Sequence, residues 1–271
     1  MKARRWAGVA ALAVALLGSP VVYAGRACAE PQALKIETIT RALNLAMRTL
    51  NALDASDSKV VLLARAGQDL SKYGVRYSHF GFAYRQDDAQ SGHVWRVLHK
   101  LNECGKAEAD IYRQGLGEFF LDDLWQYEAA WVVPQAEVQE KLLALLLDEP
   151  RSVQMHVNPY SMVSYVWGLK YQQSNQWAIE TLALAMTPGA DSRWGRPQAQ
   201  SWLREKDYQP TALNIGALTR LGARVTAANV AFDDHPSEKR FSDRIETVTV
   251  DSVFAWMIRS GLAQAPVVVL R

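Results

Sequence analysis

Three strand-like segments joined by short polar connections limit what this chain can fold into. Residues 59–67 (KVVLLARAG), 75–84 (VRYSHFGFAY) and 93–101 (HVWRVLHKL) are rich in apolar, β-branched and aromatic residues, and the polar run QDDAQSG at 86–92 separates the last two. Such runs, bounded by turn residues, are typical of β-strands, and a short polar connection indicates a hairpin. The pattern therefore predicts an antiparallel sheet.

Helical periodicity appears on both sides of these segments. Apolar residues recur at three- and four-residue spacing from Gln32 to about Leu53, and another helix is predicted over 135–148. The run SNQWAIETLALAM at 174–186 is apolar nearly all round, which is typical of a central, buried helix. A looser helix is predicted at 198–208, and strands are predicted at YEAAWVVP and near RVTAANVAF. We expect an α+β fold with an antiparallel sheet, a buried central helix and peripheral helices.

The N-terminal residues 1–24 have the layout of a secretory signal peptide. A basic start precedes an apolar run over 7–17, and the ending Val-Tyr-Ala follows. The apolar run is shorter than the roughly 20 residues that a membrane span needs. We expect cleavage near Ala24, or alternatively after Ala29, and one mature domain over 25–271 that is periplasmic or secreted.

Composition and charge exclude several classes of protein. With 49% hydrophobic and 21% charged residues, the chain has the composition of an ordinary globular domain. Loss of residues 1–24 removes three basic and no acidic groups, so the formal charge falls from +2 to −1. A mature protein with that charge is not a cationic nucleic-acid binder. We also expect no membrane span after signal cleavage, because no later stretch is long and apolar enough.

Two cysteines, Cys28 and Cys104, are present. In an oxidising compartment two cysteines most often form one structural disulfide, which here would tie the mature N-terminus to the body of the domain. The alternative is a free, nucleophilic Cys104, because the sequence LNECG follows a predicted strand. We expect no metal, since the five histidines show no helical i, i+4 pair and the cysteines lack ligand spacing. We expect no cofactor, since phosphate-loop and dinucleotide motifs are absent.

His79 and His99 form the most informative pair of histidines. If the turn at 86–92 closes a hairpin centred on residue 89, His79 and His99 lie directly opposite each other and point to the same face. The two imidazoles would then suit a general base and the group that orients it. A register slip of one residue would place them on opposite faces. Asn102, near the end of the same strand, is an alternative orienting group.

Ser174 is the candidate nucleophile, because it immediately precedes the apolar run of the predicted central helix. Backbone N–H groups and the helix dipole stabilise developing negative charge at such a position. The alternative is an N-cap serine, which this position favours in any helix. We interpret the carboxylates Glu118, Asp122 and Asp123 as a solvated helix start rather than a catalytic acid pair, and His235 as a loop residue.

The order of these elements resembles the circularly permuted branch of the papain-like NlpC superfamily. The motifs that carry the resemblance are the strand with SHFGFAYR, the strand with WRVLHKL and the later helix that begins with SNQW. The resemblance implies that His79 is the base, His99 the orienting residue and Ser174 the nucleophile position. The chain departs from the superfamily because the superfamily's nucleophile is cysteine. The implied groove would be lined by Tyr77, Tyr160, Tyr171, Asn175 and Gln176.

The mature chain is also similar, over nearly its whole length, to an uncharacterised family of exported proteobacterial proteins, domain-of-unknown-function family 2145. The stretches VLLARAGQDLSKYGVRYSHFGFAYR, YRQGLGEFFLDD, YQQSNQW and RLGARVTAANVAFDDHP carry this similarity. The family implies no established activity.

Two functions remain as hypotheses at this point. The first is an amide or ester hydrolase of the cell envelope that acts on peptidoglycan peptides or on acyl groups, with Ser174 as nucleophile, His79 as base and His99 as orienting group. The second is a non-catalytic envelope module that binds its partner in the same groove. Serine in place of cysteine favours the second, and the two opposed histidines favour the first.

Overall fold

A computed structural model describes residues 34–122 and 124–271. Within these ranges the helices are α1 (Ile36–Asp54), α2 (Leu116–Phe120), α3 (Ala136–Leu147), α4 (Glu149–Ser152), α5 (Ser174–Ala185), α6 (Arg196–Glu205), α7 (Ala217–Thr226), α8 (Ser237–Phe241) and α9 (Val250–Arg259). The strands are β1 (Val60–Ala66), β2 (His79–Asp88), β3 (Gly92–Asn102), β4 (Ala109–Gly115), β5 (Gln126–Val132), β6 (Thr211–Asn214), β7 (Arg244–Thr247) and β8 (Val268–Leu270).

The larger sheet has six strands in the order β4-β3-β2-β1-β5-β8, and every neighbouring pair is antiparallel. All seven residues of β1 are buried because helices cover both faces of the sheet. This explains why β1 is apolar without the alternation of a half-exposed strand. The mixed α+β class and the antiparallel sheet expected from the sequence are confirmed.

Alternate residues of β1 belong to two separate cores. Val61 and Leu63 pack with residues of α1 and α2 on one face, including Phe119. Leu62 and Ala64 pack on the other face with residues of α3, α5, α6 and α9. The Trp177 ring of α5 meets the Phe82 ring of β2 edge-on, with 5.9 Å between the centroids. Residues 174–184 of α5 are all buried, as the apolar pattern predicted.

A buried polar cluster ties α5 to the loop that precedes it. The Glu180 carboxylate of α5 lies 2.8 Å from Nε of Arg196 and accepts hydrogen bonds from the amides of Gln172 and Gln200. The Arg196 guanidinium also donates to two carbonyl groups of the loop before α5. Both charges are almost fully buried and each is satisfied by several partners, which is the condition under which burial of an ion pair is tolerated. The cluster therefore fixes where α5 begins.

A smaller antiparallel sheet is formed by β6 and β7. Its apolar side chains form a separate cluster with Val75, which precedes β2. The strand predicted near 224–232 is wrong, because residues 224–226 end α7 and residues 227–232 form a turn and a loop. The apolar residues Leu218, Leu221 and Val225 have helical spacing. Strand β4 was not predicted, and β2 begins at His79 rather than at residue 75.

Several sequence predictions concern the N-terminal segment. The predicted signal peptide at 1–24 and Cys28 lie outside the described residues, so the cleavage site and the disulfide stay predictions. Cys104 lies between β3 and β4, and no free cysteine occurs among the described residues. The alternative of a free Cys104 nucleophile therefore gains no support. Within the described ranges no helix has the length and apolar character to cross a membrane.

Substitution of Glu180 tests the role of the buried cluster. We expect Glu180→Gln to lower the free energy of unfolding by about 3 kcal/mol or more, because it leaves the buried Arg196 charge without its counter-ion. Urea denaturation followed by circular dichroism measures this change. Glu137→Gln is the matched control, because Glu137 forms an exposed i, i+4 pair with Lys141 and its loss costs less than about 1 kcal/mol. Equal effects of the two substitutions would contradict the role of the cluster.

Candidate active site

His79 and His99 lie on one face of the sheet, but they are not directly opposite each other. The β2–β3 register pairs Phe82 with Leu98, which places His99 opposite Gly81. The predicted pairing of His79 with His99 is therefore wrong by two residues. A shift of two residues keeps both side chains on the same face, so the histidines become diagonal neighbours within reach of each other.

Gly81 provides the space for this diagonal contact. A Cβ atom on Gly81 would lie 2.8 Å from the Cβ of His99 and 2.9 Å from the carbonyl oxygen of Leu98. Real side chains do not approach so closely, and both atoms belong to a buried strand. The glycine in the SHFG motif is thus required by the packing of the His99 side chain.

A chain of hydrogen bonds runs through the two rings. Nε2 of His79 lies 2.8 Å from Nδ1 of His99, and Nε2 of His99 lies 2.8 Å from Oε1 of Gln114 on β4. The Gln114 carbonyl oxygen can only accept, so Nε2 of His99 carries the proton and its Nδ1 accepts. Nε2 of His79 must then donate. The remaining nitrogen of His79, Nδ1, carries a lone pair, which is the state that a general base requires.

Both rings are neutral at neutral pH. Burial lowers the pKa of His79 well below its ordinary value, and the positive charge of Arg65 and the neighbouring His99 lower it further. Burial and Arg65 lower the pKa of His99 to about 3, although Gln114 and Asp122 act in the opposite direction. The relay therefore holds two uncharged imidazoles in fixed tautomers.

Arg65 is the cation that lies against this pair. The β1–β2 register sets Arg65 directly opposite His79, so the two side chains share a face. The Arg65 guanidinium lies 3.0 Å from the carboxylate of Asp122, donates to the Phe119 carbonyl and stacks over the Phe119 ring at 4.9 Å from its centroid. Asp122 thus acts as the counter-ion of a nearly buried arginine rather than only as part of a solvated helix start.

Ser174 is the first residue of α5, and it does not cap that helix. The N-cap residue is Gln173, whose side-chain oxygen accepts from the backbone N–H of Asn175 at 3.3 Å. The alternative of an N-cap role for Ser174 is therefore wrong. Burial raises the pKa of Tyr160, and a hydrogen bond with the Ser174 side chain opposes this shift. The serine hydroxyl thus faces a tyrosine hydroxyl instead of the helix backbone.

Two amide side chains hold the start of α5 in place. Oδ1 of Asn175 accepts from the backbone N–H of Phe80, which follows His79, at 3.3 Å. The Gln173 amide donates to the hydroxyl of Thr247 and to the carbonyl of Val248, at 2.8 and 2.6 Å. The first turn of α5 is therefore fixed both to β2 and to the segment between β7 and α9.

Ser174 and His79 line one cavity of about 600 Å³. Tyr77, Tyr160 and Asn175, three of the five residues expected to line a groove, line the same cavity. His99 does not line it and lies behind His79. In the described part of the chain no hydrogen bond joins Ser174 to His79.

Other residues expected at the site lie elsewhere. The hydroxyl of Tyr171 donates to Asp233 at 3.2 Å, and Tyr171 does not line the cavity. Gln176 also lies outside the cavity, because its buried amide is bonded to Ser164 and to two loop carbonyls. The amide nitrogen of Asn102 donates to two carbonyls of the turn after β3. The residue that contacts His79 is thus His99 rather than Asn102, and Gln114 accepts from the far side of the His99 ring.

The sequence predicts structural positions for His235, Glu118 and Asp123. His235 lies in the loop before α8, as expected, and is buried there, with its ring 3.0 Å from the Asp234 carboxylate. Glu118 lies in the first turn of α2 and accepts from the backbone N–H of Gly115, which fits the predicted helix start. Asp123 lies outside the described residues.

Sequence comparison gives the family of this chain. Residues 52–257 match the family described as "Uncharacterized protein conserved in bacteria (DUF2145)". The chain belongs to this family. No curated protein and no solved structure was found to be similar to it. The matched range contains His79, His99, Gln114 and Ser174, so the complete relay and the candidate nucleophile lie within the family domain.

Substitution of Gly81 tests the packing of the relay in this DUF2145 protein. We expect Gly81→Ala to lower the free energy of unfolding by about 1–3 kcal/mol, because the added Cβ overlaps His99. Gly117→Ala is the control, since a Cβ there would be in ordinary contact at 3.6 Å from Leu43. We expect the control to stay within about 0.5 kcal/mol of the wild type in urea denaturation. An unchanged stability of Gly81→Ala would show that the close packing is absent.

The buried histidines also predict a loss of stability in acid. The unfolded chain binds protons at these residues below about pH 6.5, whereas the folded pKa values of His79 and His99 are lower. The free energy of unfolding should therefore fall as the pH drops from about 6.5 towards 3, by about 1.4 kcal/mol per pH unit for each histidine. Denaturation curves across this range measure the slope. His99→Gln should reduce it, and an unchanged slope in that variant would contradict the burial of a neutral His99.

Proposed function

We propose that this protein is an acyl hydrolase that cleaves esters or amides with a serine nucleophile and a histidine base. Two observations support the proposal: the hydrogen-bonded series Gln114, His99 and His79 leaves Nδ1 of His79 as an acceptor, and both His79 and Ser174 line one cavity. In this proposal Ser174 and His79 are catalytic residues, and His99 and Gln114 are positioning residues.

The proposed reaction has an acylation step and a hydrolysis step. The Ser174 oxygen attacks the acyl carbonyl carbon while its proton passes to Nδ1 of His79, and the backbone N–H groups at the start of α5 face the developing oxyanion. The bond to the leaving oxygen or nitrogen then breaks, and that atom takes the proton from His79. Water, deprotonated by His79, attacks the acyl-enzyme, releases a carboxylic acid and restores the Ser174 hydroxyl.

One observation favours a second function, a non-catalytic binding module in the same cavity. The pKa of His79 is lowered by burial and by Arg65, and a base works best when its pKa is near the operating pH. A serine hydroxyl also needs more activation than the thiol of papain-like enzymes. Binding of a ligand without turnover would retain the cavity and require no proton transfer.

We also propose that the protein acts in the bacterial cell envelope. The basic start, short apolar run and small-residue ending of residues 1–24 support export to the periplasm or beyond. Export would also allow the disulfide between Cys28 and Cys104 to form. N-terminal sequencing of the protein from a periplasmic fraction tests both the export and the cleavage site near Ala24, and an intact N-terminus in the cytoplasm would contradict it.

Hydrolysis assays test the catalytic proposal. Purified mature protein is incubated with a series of nitrophenyl esters and with peptidoglycan fragments, beside Ser174→Ala and His79→Ala. We expect each substitution to lower kcat by more than about 100-fold. Ser91→Ala, in the exposed β2–β3 turn, is the control and should retain full activity.

The outcomes separate the two functions. Activity that is lost in both Ser174→Ala and His79→Ala supports the hydrolase. A folded wild-type protein without activity on any member of either series would contradict it and favour the binding module. Covalent labelling of Ser174 by a fluorophosphonate probe, absent in Ser174→Ala, provides a measurement that does not depend on the choice of substrate.

A further inference from the structure

The cavity that Ser174 and His79 line is apolar over most of its remaining wall. The small sheet, α7 and their loops contribute side chains that are buried or nearly so. These apolar lining residues include Val75, Met162, Leu213, Ile215, Val230 and Phe232. The polar groups are concentrated at the end where α5 and β2 begin, with Tyr160 and Asn175 beside Ser174. A ligand that fits this cavity has one polar end and one long apolar end.

Charged side chains are nearly absent from the wall of the cavity. Among the described residues that line the cavity, Lys72 is the one with a formal charge at neutral pH. Lys72 is exposed to solvent, and its ammonium group lies 4.7 Å from the centroid of the Tyr73 ring. Burial of an unpaired carboxylate or ammonium group is costly. A peptidoglycan peptide, which carries several such charges, would therefore find few partners inside the cavity.

The entrance to the cavity is also apolar. Leu218 of α7 lines the cavity and is 86% exposed, and Leu221 and Val225 lie on the same exposed face of that helix. The opposite face of α7 is fixed by Arg220, which donates to the Ile215 carbonyl and forms an ion pair with Asp243. These polar contacts hold α7 in place. Its apolar face is exposed to solvent at the rim of the cavity.

We infer that the cavity binds a straight acyl chain, with the acyl carbonyl at the Ser174 and His79 end and the hydrocarbon against α7 and the small sheet. The substrate class is thus a fatty-acyl ester or amide. The position of the acyl carbonyl in this inference rests on the proposed hydrolase. Binding of the hydrocarbon chain rests on the apolar wall of the cavity alone. A volume of about 600 Å³ lies within the range of cavities that enclose ligands of this size.

Binding and turnover are measured separately. Binding is measured by the fluorescence of N-phenyl-1-naphthylamine, an uncharged probe, and its displacement by butan-1-ol, octan-1-ol and dodecan-1-ol, in the mature wild type and in Ser174→Ala. Turnover is measured with the nitrophenyl esters of butyric, octanoic and dodecanoic acids below their critical micelle concentrations. We expect affinity and kcat/KM to rise about fourfold for each added methylene until the cavity is filled. We expect Ser174→Ala to bind the probe as the wild type does.

Two substitutions and one control test where the acyl chain lies in the cavity. Leu218→Gln should weaken probe binding by about threefold or more, because it places an amide at the apolar entrance. Leu221→Gln is the matched control, since Leu221 lies on the same helix and is exposed but does not line the cavity. Ala223→Phe, which reduces the space beside α7, should shift the preference to shorter chains. Circular dichroism establishes that each variant is folded.

Each outcome decides one of the two proposals. Probe binding that depends on chain length, without hydrolysis, supports the acyl-chain cavity and contradicts the hydrolase. Hydrolysis of short esters without any gain from longer chains, together with no probe binding, contradicts the acyl-chain cavity and leaves the hydrolase standing. A protein that neither binds the probe nor hydrolyses an ester would contradict both the acyl-chain cavity and the hydrolase. Equal effects of Leu218→Gln and Leu221→Gln would overturn the placement of the chain beside α7.

Discussion

The hydrogen bond between His79 and His99 is the interaction on which the candidate site depends. It needs a β2–β3 register that makes the two rings diagonal neighbours, a glycine at position 81 to leave space for His99, and Gln114 on β4 to accept from the far side of that ring. Burial then removes the charge from both rings. The result is a His79 ring whose free nitrogen has a defined protonation state.

The position of Ser174 has a separate cause. Helix α5 is buried all round, and its one carboxylate, Glu180, is held by Arg196 and by amides from neighbouring segments. At its first turn, Gln173 takes the capping role, and Asn175 is bonded to the backbone of β2. The Ser174 hydroxyl is thus left for the cavity. Two independent networks, one in the sheet and one around α5, bring the serine and the histidine to the same cavity.

Much of the fold could be predicted from local patterns, because each of β1, β3, β5, α1, α3 and α5 is either a run of mostly apolar residues or has apolar residues at a regular spacing. Strand β4 could not, since most of its residues are partly exposed and carry few apolar side chains. Gln114 was missed with it. The two-residue register error arose because the turn was centred on the polar run, whereas the hairpin closes between Asp88 and Gly92. The β-branched residues near 224–232 suggested a strand, but residues 224–226 end α7 and the rest of that region is a turn and a loop.

The most direct test of this account is the protonation state of the His79 ring in solution. Long-range ¹H–¹⁵N NMR of the mature protein at neutral pH, with Gln114→Leu for comparison, distinguishes the two neutral tautomers from the charged ring. The account predicts that His79 and His99 are both neutral and both protonated at Nε2, and that Gln114→Leu disturbs this pattern. A charged His79, or a neutral His79 that is protonated at Nδ1, would contradict it.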